Sequence, residues 1–326
     1  MNMKNRTLFV FLAGAAVGFC IPFLISSQSV SEDEHPLTEV PSASSSPRVP
    51  SSVEFAGQTV KLDRADLHER MDREMLAFTY SHQLTLLMIK RANRFFPIIE
   101  PILKECGVPD DLKYLMVIES NVDPRIKSSA GAVGLWQFMP TTGREYGLEV
   151  NDNIDERYNI EKSTRAACAY LKKSYRQFGD WMTVAASYNG GTGGVAKRQE
   201  VQGVTSALDM FLVEETSRYM FRLLAAKTVF ENPARYGFLL RSEDLYPYIP
   251  PKKTVVVNTQ IDDLTAFAKE QGVSLAQLKT ENLWLRGDGL NNKSGRRYEL
   301  KIPDEKALFY NPRDTKPHNA NWVIDR

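Results

Sequence analysis

The chain has 326 residues, with 41 Lys and Arg against 40 Asp and Glu, so no basic field is available to hold a phosphate backbone and nucleic acid is excluded as a partner on charge. Three cysteines and four histidines, none clustered at ligand spacing, exclude a disulfide scaffold and give no support to a metal centre. The length allows one sizeable core and one small module.

At the N-terminus Lys4 and Arg6 precede an apolar run from Leu8 to Ile25, long for a signal-peptide core and about the minimum for a span. Residues 1–28 therefore read as a signal peptide or a signal anchor. Cys20 follows Phe19, where lipidation needs a small residue, so a lipoprotein is the weaker reading. Basic residues before the run and Glu32, Asp33 and Glu34 after it place the N-terminus in the cytoplasm and the body outside the inner membrane. Residues 29–52 are rich in Ser and Pro and poor in large apolar side chains, and they read as a tether. Val53 to Leu62 alternates weakly and predicts a short strand. Arg64 to Cys106 carries Leu67, Met71, Met75, Phe78, Leu84, Leu87, Met88, Phe95, Phe96, Ile99 and Leu103, which makes residues 53–107 a helical N-terminal collar.

Pro109 suits a first helical position, and Asp110 and Asp111 place negative charge in the first turn, where the helix dipole favours it. Leu112, Leu115, Met116 and Ile118 give the ensuing helix a buried stripe, and Pro124 stops it near Asn121. Glu119 then sits in the last turn of a largely buried helix. Desolvation and the negative end of the dipole both disfavour its carboxylate, which is how a glutamate keeps a proton near neutrality. Asp123, against Pro124, reads as a turn cap, and Asp152, Asp155 and Glu156 as caps in a polar loop. Cys106 and Cys168 lie beside apolar helical positions; an exported compartment permits them to pair, and two buried thiols is the simpler reading.

Beyond Pro250 and Pro251 the texture changes. The run TVVV, helices near Leu264 to Gln271 and Leu275 to Asn282, and a strand from Tyr298 to Ile302 predict a βααβ module over residues 251–303, with 304–326 as a C-terminal tail. This order, with VSLAQLKTENLWL at its centre, is similar to a LysM module, a small fold that binds N-acetylglucosamine chains. The polar stretch from Arg286 to Arg297 is longer than the usual link, which leaves open a degenerate cap packed on the preceding domain.

Four strings occur in register: Glu119-Ser120, GLWQ at Gly134 to Gln137, SYNGG at Ser187 to Gly191, and ETSRY at Glu215 to Tyr219. Together with SSAGAVGLWQFMPTTGREYGL and the DERYNIEKST segment leading into a helix ending Ala169-Tyr170-Leu171, they resemble the family 1 lytic transglycosylases of the lysozyme-like superfamily, in the membrane-bound murein transglycosylase D branch. The resemblance covers about half the chain, roughly Val108 to Phe230. The sequence departs from the pattern at Ser187, where Ala is usual, and at Trp136, where Met is common.

The resemblance implies a mainly α, lysozyme-like (SLT) catalytic domain over residues 108–250. It implies Glu119 as the catalytic acid and base, with Ser128, Gln137, Met139, Tyr188, Asn189, Glu215 and Tyr219 lining a sugar groove. In the family, one glutamate protonates the bond between N-acetylmuramic acid and N-acetylglucosamine, then takes the proton of the muramyl C6 hydroxyl as that oxygen closes onto C1. The product is a 1,6-anhydro sugar, and no cofactor or metal is required. The expected partner is peptidoglycan glycan, with the inner membrane as a second if the leader stays uncleaved; the expected place is the periplasm. Trp136 reads as a wedge for its loop, and Gly190, Gly191, Gly193 and Gly194 as tight turns, since no P-loop context surrounds them. Glycoside cleavage commonly uses two carboxylates, and only Glu119 stands out here. A hydrolytic muramidase with a second facing carboxylate, or a peptidoglycan-binding scaffold without activity, remain the alternatives.

Overall fold

The computed structural model describes residues 45–293 and 295–325. The leader or anchor at 1–28, Cys20, the acids at 32–34 and most of the tether lie outside the described residues. Among the described residues no helix is long and apolar enough to cross a membrane.

Where one strand was expected there is a hairpin, β1 (Ser52–Phe55) against β2 (Gln58–Lys61), with Val53 opposite Val60. The reason is the turn: Ala56 and Gly57 both have positive φ, 52° and 82°, the two-residue geometry that matches strand twist. Helices α1 (Ala65–Tyr80) and α2 (His82–Cys106) form the collar, and α2 runs on through Pro97 and Pro101. Met71, Met75, Phe96 and Ile99 are buried, so the apolar content of the collar is packing.

The central portion contains α3 (Lys113–Ser120), α4 (Pro140–Glu145), α5 (Ile160–Phe178), α6 (Trp181–Gly190), α7 (Thr192–Gln202) and α8 (Glu214–Glu231). Helix α5 extends past the expected end at Leu171 to Phe178, because Gly179 at φ 67° is the first residue able to take the left-handed C-terminal position. Helix α8 is buried along most of its length and packs on α1, α3 and α6. Across α1 and α8 the fully buried carboxylate of Glu74 accepts from Arg218 Nε at 2.6 Å and Arg222 Nε at 3.4 Å. Cys106 and Cys168 are free thiols in contact at the α2–α5 junction, and burial followed by the neighbouring sulfur pushes the Cys168 thiol far up.

The C-terminal module follows its expected order: β3 (Lys253–Val257), α9 (Leu264–Glu270), α10 (Leu275–Glu281) and β4 (Tyr298–Ile302), with β3 and β4 antiparallel and Val255 opposite Leu300. Asp263 caps α9, and Ser274 with Gln277 forms a capping box on α10. The module's core is shared with the domain before it: Leu264, Leu278, Leu285 and Leu300 pack in one cluster with Val133, Ile154 and Tyr158 of the central portion. The long polar link explains the join: Asn153 Nδ2 donates to Gly289 O at 2.8 Å, and the Arg286 and Asn291 amides donate to Asn153 oxygens at 2.8 and 2.9 Å.

Residues 304–325 are a strap rather than a free tail. Trp322 is 3% exposed, packs against Phe96 and Phe230, and donates from Nε1 to Phe230 O at 2.6 Å. The Ile324 amide reaches Leu240 O at 2.9 Å, and His318 Nε2 contacts Glu100 at 2.9 Å.

Candidate active site

A short 3-10 turn at Asp110–Leu112 leads from Pro109 into α3, so the α-helix proper begins four residues after the proline. Lys113 to Val117 are all buried, a wider buried surface than the expected stripe, while Ile118 and Glu119 are only half-buried. The helix ends on two successive left-handed residues, Asn121 at φ 52° and Val122 at φ 56°. A β-branched residue there is strained. Arg91 of α2 holds the turn: it donates to Asn121 O at 3.1 Å and pairs with Asp123 at 3.0 Å. Asp123 also accepts from the Arg125 amide at 3.0 Å, the turn-forming role read from the sequence.

Glu119 Oε1 accepts a hydrogen bond from Tyr219 Oη of α8 at 2.7 Å. Burial pushes the Glu119 carboxyl from 4.5 up to about 7; the Tyr219 hydrogen bond opposes this, and the charge of exposed Glu215 adds to it. Glu119 is only partly buried, and its surroundings disfavour the anion. Burial and the same carboxylate push both Tyr188 and Tyr219 well above the ordinary phenol range, so both are donors at any working pH.

The other expected site residues divide by what their polar atoms do. The phenol in contact with Glu119 is Tyr219, while Tyr188 donates to Trp136 O at 2.7 Å and its charge state is linked to Glu119. Asn189 Oδ1 accepts from Thr216 Oγ1 at 2.8 Å, and its amide N–H groups have no protein acceptor among the described residues. Gln137, at φ 49°, is folded back by bonds from Nε2 to Gly134 O at 2.8 Å and Ile126 O at 3.4 Å. Ser128 Oγ accepts from the Ala132 amide at 3.0 Å and closes a turn. Met139 is exposed at the start of α4. Trp136 is fully buried and donates to Thr164 Oγ1 at 2.9 Å, so it wedges its loop and presents no face to a sugar. Ser187 is buried, with its hydroxyl bonded to Val184 O at 2.8 Å.

Glycine use differs from expectation in part. Gly191, at φ 75°, makes the turn between α6 and α7, but Gly193 and Gly194 lie in the first turn of α7 with open space beside them. Gly134 is required: at φ 75° any Cβ would lie 2.3 Å from the Arg157 carbonyl oxygen.

Arg157 is the residue that sequence reasoning missed. Its buried guanidinium pairs with Asp155 at 2.8 Å and donates to Gly131 O and Phe138 O, both at 2.9 Å, bracing the loop that carries GLWQ. The signal was present as Asp-x-Arg in DERYN, where Asp155 reads as a cap and is a cap, but also an ion-pair partner.

Residues 96–210 match the family model described as the transglycosylase SLT domain. The chain carries an SLT domain. Residues 253–306 match the soluble lytic transglycosylase C-terminal LysM-like domain, so the βααβ module is of LysM-like type. The membrane-bound lytic murein transglycosylase D of Escherichia coli K12 is 30% identical over 264 residues, 78% of this chain and 56% of that protein. The endo-type membrane-bound lytic murein transglycosylase A of Klebsiella pneumoniae is 34% identical over 89 residues, 26% of this chain and 44% of that protein. The chain thus spans about half the length of the curated relatives it matches. Among solved structures, the 70 kDa soluble lytic transglycosylase of Escherichia coli is similar at 22% identity and a TM-score of 0.38, covering 50% of this chain and 29% of that one.

Proposed function

We propose that the protein is a peptidoglycan lytic transglycosylase that cleaves the β-1,4 bond between N-acetylmuramic acid and N-acetylglucosamine without water. The observation that carries the proposal is a single half-buried carboxyl, Glu119, whose surroundings hold it near half-protonation at neutrality and whose orientation is fixed by Tyr219. A group that must give a proton and then take one works best with a pKa near the operating pH. Glu119 protonates the bridging oxygen as the C1–O bond breaks, and the substrate's N-acetyl group assists at C1. The resulting carboxylate takes the C6 hydroxyl proton as O6 closes onto C1, so proton and bonds balance and Glu119 is restored. Tyr219 follows the change in charge by donating to either form. Asn189, whose amide N–H groups have no protein acceptor among the described residues, and Gln137, Ser128, Met139 and Tyr188 line the groove in this reading.

The SLT and LysM-like matches and the names of the relatives support the substrate class. The protein is exported on its N-terminal segment and acts in the periplasm, tethered to the inner membrane or released by cleavage. Glu215 supports a second reading: its charge reaches Glu119, and a carboxylate there could orient water for hydrolysis.

Mass spectrometry of sacculi digested with the purified protein decides between them. Muropeptides with 1,6-anhydromuramyl ends, lighter by one water than hydrolysis products, are expected; reducing ends alone would establish the muramidase. A digest without products from a protein that binds sacculi would leave only the scaffold.

A further inference from the structure

A cavity of about 700 Å³ lies between α2, the segment Tyr158–Glu161, the LysM-like module and the C-terminal strap. Its walls carry opposite charge: Lys90, Arg91 and Arg94 line the α2 side, Glu281 and Glu299 the module side. Most charges around it are already paired. Arg91 is engaged by Asp123, Lys301 by Glu161, and Asp244 by Arg241.

Two are not. Arg94 donates from Nε to Pro247 O at 3.1 Å and its guanidinium lies 5.4 Å from the Tyr246 ring centre, but no carboxylate contacts it. Glu281 makes no hydrogen bond and no ion pair among the described residues; it is half-buried, while Arg94 stays open to water through the cavity. The surrounding walls nevertheless desolvate both. Burial lowers the Arg94 pKa, which the charge of Glu281 only partly offsets, and raises that of Glu281, which Lys301 and then Arg94 only partly offset. A desolvated acid and a desolvated base that sense each other without touching stand on two sides of a gap. Between them the cavity offers the buried rings of Tyr158 and Trp284.

A neutral sugar has no use for this pair of charges. The complement is a ligand with an anion at one end, a cation at the other, and an aliphatic stretch between. We propose that the cavity binds a short zwitterionic peptide, its carboxylate on Arg94 and its primary ammonium on Glu281. Uncrosslinked peptide stems of peptidoglycan have this chemistry, and only the identity of the peptide rests on the substrate reading given above. The Asp123–Arg125 turn, which follows Glu119 in the chain, lines the same cavity, so a stem bound here lies against the structure that ends α3.

The test is calorimetric titration of the full chain, as wild type and as Glu119→Gln, with a synthetic stem tetrapeptide carrying a free side-chain amine. Binding is expected in both proteins, and acetylating the peptide amine should weaken it about tenfold, the scale of one charge-assisted hydrogen bond. Glu281→Gln should weaken the free-amine peptide by the same factor and abolish discrimination against the acetylated one. Arg94→Gln should weaken both peptides alike. Equal affinity for the two peptides in the wild type, or no binding, overturns the proposal whatever the variants do. So does complete competition by an N-acetylglucosamine tetramer, which would make this a glycan site. Binding in Glu119→Gln, where turnover is lost, keeps this outcome separate from that of the digest.

Discussion

Glu119→Gln should stabilise the protein at the same time as it inactivates it, and by an amount that depends on pH. The folded carboxyl titrates near 7 against an ordinary value of 4.5. For an acid raised in the folded state, its contribution to stability is fully present below the unfolded pKa and is lost as pH rises through the folded one. At ~1.4 kcal/mol per pH unit, the rise corresponds to about 3 kcal/mol lost between pH 4.5 and 7. Glutamine carries no such loss. It still accepts from Tyr219 Oη, though an amide oxygen is the weaker acceptor by about 1 kcal/mol, so the net gain at pH 8 is about 2 kcal/mol. In a chain of 326 residues, at about 2.1 cal/mol/K of unfolding entropy per residue, that is a rise in melting temperature of about 3 °C. Differential scanning calorimetry at pH 8 and at pH 4.5 measures both ends. The same reasoning requires the gain to vanish or reverse at pH 4.5, where both forms are neutral. A variant less stable than wild type at pH 8, or equally stabilised at both, would refute the assignment of Glu119 as a carboxyl held against ionisation. Turnover should fall by about 10⁴-fold, since the amide neither gives nor takes the proton.

Tyr219→Phe removes the hydrogen bond that favours the Glu119 anion, so the basic limb of the rate profile should move above about 7 while the maximal rate falls about tenfold; a pH–rate series reads both, and a limb that stays put or moves down contradicts the geometry. Gly134→Ala forces a Cβ to 2.3 Å from Arg157 O at φ 75° and should cost about 4 kcal/mol or prevent folding, as urea denaturation would show. Trp322→Ala empties a buried site in the main core and leaves Phe230 O without its donor, so a loss of about 3–5 kcal/mol is expected by the same assay; a change under about 1 kcal/mol would mean that the strap is not part of the core.

The local signals in the sequence are strong where they depend on one residue type. Pro109, Glu119 and Pro124 bound a short buried helix, and the βααβ order of the module is readable because TVVV and YELKI have strand character and Ser274 caps the helix between them. Partnerships across the chain are not legible. Nothing in the spacing of Tyr188 and Tyr219 says which phenol reaches Glu119, because that depends on how α6 and α8 rotate against α3. The strap is invisible for the same reason: Trp322 and Val323 carry no periodicity, and only the packed surface of Phe96 and Phe230 gives them a place. The module's dependence on Val133, Ile154 and Tyr158 is likewise hidden, since each lies in a loop or a short turn where an apolar residue marks no element.

The collar acquires a role in this arrangement that its composition alone does not suggest. Burial raises the Glu119 carboxyl and the Tyr219 hydrogen bond opposes the rise, which in the proposed reaction favours release of the proton. That bond is useful only if α8 holds its rotation and height against α3. Arg218, the residue before Tyr219, and Arg222, one turn further, both end on the fully buried Glu74 of α1. A carboxylate with no exposure cannot be left without its partners except at a cost of several kcal/mol, so α8 cannot slide or turn against α1 without breaking the pair. On the other side, Arg91 of α2 fixes the strained turn that ends α3 just past Glu119. The two helices of the collar therefore hold the two partners of the Glu119–Tyr219 hydrogen bond, α1 through α8 and α2 through the turn after Glu119, so helix register tempers the rise that burial imposes on the Glu119 carboxyl.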